Sequence, residues 1–78
     1  MSVELYSRAI LCRDVPEAGL RRGDVGTVVE IYSDTSGDII GYELELFSAA
    51  GKTIAVESVP ADAVRQPTNA DRLATRVA

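Results

Sequence analysis

Leu20-Arg21-Arg22-Gly23-Asp24-Val25-Gly26-Thr27-Val28-Val29-Glu30-Ile31-Tyr32 is a tight, charged, glycine-punctuated turn running straight into a β-branched strand. Gly23 and Gly26 flank Asp24 and Val25. Glycine either takes a positive φ or lets another backbone come close. Val25, Val28, Val29, Ile31 and Tyr32 are residue types that fit a pleated, half-buried surface. At a period of two, Val25, Thr27, Val29 and Ile31 share one face, and Gly26, Val28, Glu30 and Tyr32 the other. Apolar side chains on both faces point to a sharply curled central strand of a small barrel, with a core face and a partly covered back.

Outward from that strand the chain repeats short extended runs between turn formers. Leu5 to Cys12 reads as a first strand, firm from Ser7 or Arg8, with Ala9 and Leu11 on one face and Ile10 and Cys12 on the other. Arg13 to Gly19 is a loop, in which Pro16 fixes φ and biases Val15 toward extended geometry. Ser33-Asp34-Thr35-Ser36-Gly37-Asp38 is dense in turn formers and reads as a hairpin loop. Ile40 to Phe47 has the clearest alternation, placing Tyr42, Leu44 and Leu46 inward and Glu43 and Glu45 toward water. After a turn at Ser48 to Gly51, Thr53 to Val59 reads as a fourth strand with Ile54 and Val56 inward. Pro60 to Ala63 suits one 3₁₀ turn, and Val64 to Gln66 a short closing strand.

Five short strands with turn signals every eight to twelve residues indicate a small barrel or sandwich. With 78 residues there is too little chain for two full sheets, so an all-β, five-stranded barrel over residues 1–66 is expected. Pro67 ends that body. Beyond it, Thr68-Asn69-Ala70-Asp71 resembles a helix start, and Leu73 and Val77 lie four apart. A helix of about nine residues is marginal alone. Residues 67–78 are therefore read as a tail, either disordered or a short docking helix.

The chemistry-bearing residues are sparse. There is no histidine, which removes the commonest general base, proton shuttle and zinc ligand together. Cys12 is the only cysteine, so no internal disulfide can form; it has no imidazole to activate it and reads as a core-packing side chain. Glu43 and Glu45 lie about 6.5–7 Å apart along one strand face. Glycosidase carboxylates use similar spacings, but acidic alternation opposite an apolar face reads as solvated surface. Asp34, Ser36, Asp38 and Glu45 fall at the first, third, fifth and twelfth positions of an EF-hand-like spacing, yet Ile39 stands where the sharp turn requires glycine. No glycine-rich phosphate cradle leads into a helix. A non-enzymatic chain with no cofactor and no metal is expected.

Twelve acids against eight bases give a net charge of −4, and the best basic patch is Arg13, Arg21 and Arg22 beside Asp14, Glu17 and Asp24. Phosphate backbones are held by cations, so this balance weighs against nucleic-acid binding. No basic n-region with an apolar h-region and no run of about 18 apolar residues occurs, so a cytoplasmic protein off the membrane is expected.

The run Val15-Pro16-Glu17-Ala18-Gly19-Leu20-Arg21-Arg22-Gly23-Asp24-Val25-Gly26-Thr27-Val28-Val29-Glu30 resembles the signature of an uncharacterised family of small bacterial proteins, a domain-of-unknown-function group. Tyr42 to Phe47, Gly51-Lys52-Thr53 and Ala61-Asp62-Ala63-Val64-Arg65 continue the likeness over about residues 7 to 66. More distantly the layout is similar to KOW-type barrels and to the SH3-like accessory subunits of photosystem I and of ferredoxin–thioredoxin reductase. The resemblance implies an SH3-like barrel and carries over no catalytic residue. A shared fold does not supply a function. Three readings follow. The first is a protein-interaction or accessory module, an antitoxin-like partner of a second small protein among its forms. It would bind through a loop face of Arg21, Arg22, Tyr32 and the Asp34–Asp38 hairpin, or by strand pairing at an open barrel edge. The second is a KOW-like nucleic-acid binder, and the third a small-molecule or metal-binding function.

Overall fold

The computed structural model describes residues 3–47 and 53–68, apart from the side chains of Thr53 and Ile54. Five strands form one antiparallel sheet: β1 (Arg8–Leu11), β2 (Val25–Ser33), β3 (Ile39–Phe47), β4 (Thr53–Pro60) and β5 (Val64–Arg65). Their order across the sheet is β4-β3-β2-β1-β5. The successive strands β4 and β5 thus occupy opposite ends of that order, joined only by a 3₁₀ turn at Ala61–Ala63. From Pro60 to Val64 the chain can reach about 14 Å. The outer strands of a flat five-stranded sheet would stand about 19 Å apart. The sheet must therefore curl on itself, and the result is a small barrel-like all-β fold. Among the described residues there is no α-helix.

Inside the curl lie Val3, Ala9, Leu11, Val15, Val28, Tyr42, Leu44, Leu46, Val59 and Ala63. Gly26 pairs with Leu46 and Val28 with Leu44, but the next pair is Glu30 with Glu43, so Val29 is an extra residue on β2. This β-bulge corrects the expected faces of β2. Strict alternation separates Val28 from Ile31, whereas the bulge shifts the phase and turns both toward the core, Ile31 opposite Tyr42. The bulge is held from the other side, where the Val28 amide donates to the Ser7 carbonyl at 2.9 Å and the Tyr6 amide to the Val28 carbonyl at 2.6 Å. Leu5 and Tyr6 consequently sit in an exposed turn, and β1 begins only at Arg8.

β4 packs one residue out of the expected phase. Val56 is about half exposed, in register with Glu45 on the outer face, whereas Ala55 and Val59 face the core opposite Leu46 and Tyr42. Val56 and Val59 are three apart and cannot share a face of a regular strand. The ladder with β3 decides for Val59. The expectation for Ile54 concerns a side chain outside the described set. The turn from Ser48 to Gly51, and the tail from Asn69 onward with its expected helix, also lie outside the described residues.

Candidate functional site

The glycines of the opening window divide their two uses. Gly23 has a φ of 93° and closes a turn whose amide donates to the Leu11 carbonyl at 2.8 Å. Gly26 is buried, and a methyl group there would meet the Glu45 carbonyl oxygen at 2.8 Å. Within the turn the Asp24 carboxylate accepts from the Arg21 amide at 2.9 Å, and the Asp14 carboxylate from the Arg22 amide at 2.8 Å. Asp14 and Asp24 therefore hold the backbone of the basic turn. The guanidinium groups of Arg21 and Arg22 make no hydrogen bond or ion pair among the described residues.

The preceding loop is fastened at its far side. Val15 and Leu20 bridge across a 3₁₀ turn at Pro16–Ala18. Arg13 forms an ion pair with Asp62 at 2.9 Å, and the Cys12 thiol donates to the Asp62 carbonyl at 3.2 Å. The Asp62 carboxylate raises the Arg13 pKa, so Arg13 stays charged and engaged.

At the opposite end of β2 the hairpin loop is closed by Asp34. Its carboxylate accepts from the amides of Ser36 at 2.9 Å and Asp38 at 3.0 Å, and its own amide donates to the Asp38 carbonyl at 2.9 Å. Asp34 is thus a turn-forming residue, its side chain mimicking a backbone turn. Among the described residues no group of three or more His, Cys, Asp or Glu side chains could hold a metal ion.

Beside this hairpin is a second bulge. Tyr32 pairs with Gly41 but Ser33 with Ile39, which leaves Ile40 as the extra residue on β3. Ile39 packs on the core, and Ile40 is turned out, 56% exposed. Bulges commonly re-aim a side chain in this way. Ile40 helps line an open groove of about 510 Å³ with Glu17, Tyr32, Gly41, Ser58, Val59 and Pro60. Four separate elements meet there: the loop after β1, the end of β2, the start of β3 and the end of β4. One oxygen of Glu43 accepts from the Tyr32 hydroxyl at 2.9 Å and the Ser58 hydroxyl at 3.3 Å. The hydrogen bond to Glu43, with partial desolvation and the nearby negative charge, raises the Tyr32 pKa above its ordinary value. Tyr32 therefore remains a neutral donor at neutral pH.

Of the residues expected to form one loop face, the structure puts Tyr32, Asp34 and Asp38 at one end of β2, and Arg21 and Arg22 before its other end. Seven residue steps separate Val25 from Tyr32, about 23 Å in an extended strand. Glu17, Ile40, Val59 and Pro60 were not singled out from the sequence. The one available signal was Ile39-Ile40, two successive large apolar residues at the mouth of an alternating strand.

The family model described as Domain of unknown function (DUF4926) matches residues 5–66. No curated protein and no solved structure gives a significant match to the chain.

Proposed function

The chain belongs to the family described as Domain of unknown function (DUF4926), and within it we propose a non-enzymatic protein-interaction module, the accessory or regulatory partner of another protein. The observation that carries this reading is Ile40, displaced by a bulge from the core face of β3 into the open groove. An isoleucine turned to water forgoes burial worth about 1.5–3 kcal/mol, which an arriving apolar surface would recover. The groove is open rather than enclosed and suits a polypeptide better than a small ligand, which is usually largely engulfed. The element order, with a long first loop and a 3₁₀ turn before the last strand, supports reading the barrel as SH3-like.

The nucleic-acid reading finds less support. Arg21 and Arg22, whose guanidinium groups make no ion pair among the described residues, stand beside Asp14 and Asp24 at the other end of β2, and Glu17 lines the groove. Phosphate binding needs a concentration of positive charge.

The test is affinity capture from the native host with the wild-type chain and with Ile40→Asp in parallel. Because Ile40 is exposed, the substitution should leave the melting temperature nearly unchanged. The reading expects a protein retained by the wild type and lost from the variant. Retention of the same proteins by both, or none by the wild type, would contradict it.

A further inference from the structure

We propose that this groove receives an extended, basic segment of the partner protein, with an aliphatic side chain against Ile40, Val59 and Pro60 and a Lys or Arg on Glu17 and Glu43. The proposal rests on the docking reading above and adds the chemistry of the occupant.

Charge complementarity is the argument. Among the described residues, Glu17 is the only charged one lining the groove. The two hydroxyls of its wall, Tyr32 and Ser58, both converge on one oxygen of Glu43, which places a second carboxylate directly behind that wall. Next to it, Glu30 stands opposite Glu43 in the β2–β3 ladder. Like charges in that position repel and are destabilising. Glu30 relieves little of this, since its oxygen accepts from the Ile31 amide at 3.1 Å. Among the described residues, no lysine or arginine hydrogen-bonds or ion-pairs with Glu17, Glu30 or Glu43. Arg13 contributes some field at Glu17 but is held by Asp62. The groove thus combines an apolar floor with acids that no described lysine or arginine neutralises. An acidic segment would add to the repulsion and a neutral one would leave it in place. A basic segment removes it.

The test selects random dodecapeptides displayed on phage against the full chain, then measures the affinity of the selected peptides for Ile40→Asp, Glu17→Gln and Glu43→Gln. Gln at position 43 keeps an acceptor for Tyr32 and Ser58, so that variant isolates the charge. The proposal expects selected peptides that pair an aliphatic residue with a nearby Lys or Arg. Their binding should weaken about two- to fivefold with each Gln variant and with added salt, and about tenfold or more with Ile40→Asp. Selected peptides with no basic enrichment, or affinities indifferent to both Gln variants, would overturn the basic occupant and leave groove docking intact. Undiminished binding to Ile40→Asp would overturn groove docking itself. Failure to select any peptide would overturn both.

Discussion

A methyl group on Gly26 would lie 2.8 Å from the Glu45 carbonyl oxygen, a backbone atom that cannot swing aside. Gly26→Ala should therefore push β2 and β3 apart and cost about 1–3 kcal/mol, the range for overpacking a tight interior. Chemical denaturation checks this, and a loss below a few tenths would mean that the strands separate freely. At Tyr32 the prediction concerns protons. A hydroxyl pKa raised in the folded state means that the protonated form favours the fold. That contribution is complete below the ordinary tyrosine pKa of about 10 and is lost as pH rises through the higher folded value. The ring resonances of Tyr32 should titrate with a midpoint above about 10, moving down in Glu43→Gln. A midpoint indifferent to that substitution would remove Glu43 as the cause. The sequence showed that Gly23 and Gly26 were each needed, because β-branched strands tolerate glycine only for a reason. It did not show Tyr32 and Glu43 as partners, since their contact depends on where a bulge falls.

At the scale of the elements, two bulges explain most of what pattern reading missed. Alternation located β3 well, because Tyr42, Leu44 and Leu46 leave no second phase open. It could not fix β4, where Val56 and Val59 compete for the same face. It also could not find the groove, because a bulge breaks the very periodicity on which the reading depends. The phase of β4 is directly testable. Val59→Ala, at a side chain only 3% exposed, should cost about 2 kcal/mol, whereas Val56→Ala at 49% exposure should stay within about 0.5 kcal/mol. Equal losses at both positions would contradict the register. Among the described residues β4 pairs only with β3, and its other edge has its own protection. Glu57 lies in register with Leu44 on the core-facing side, and an inward-pointing charge discourages strand addition. Under the proposed interaction reading, this weighs against docking by strand addition at that edge.

For the molecule as a whole, size and charge constrain function in the same direction. A chain of 78 residues buries only about 60% of its extended surface, so apolar groups left outside are a real sacrifice of stability. Here one of them, Ile40, stands beside Tyr32 and Pro60 at the edge of an acidic sheet face. The barrel-like fold was legible in the sequence because short extended runs alternate with turn formers along the chain, even where the faces of β2 and β4 were not. Of the expected loop face, Tyr32 lines this groove, whereas Arg21, Arg22, Asp34 and Asp38 are not among its lining residues. A groove assembled from four elements between Glu17 and Pro60 has no local signature.

The most direct test is an amide-shift titration of the labelled chain with a peptide carrying a Leu-Arg pair in an otherwise neutral extended sequence. Docking in the groove predicts perturbations centred on Glu17, Tyr32, Ile40, Gly41, Ser58 and Val59, with the Arg21–Gly23 turn unmoved. Perturbations centred on that turn, or none anywhere, would contradict the account.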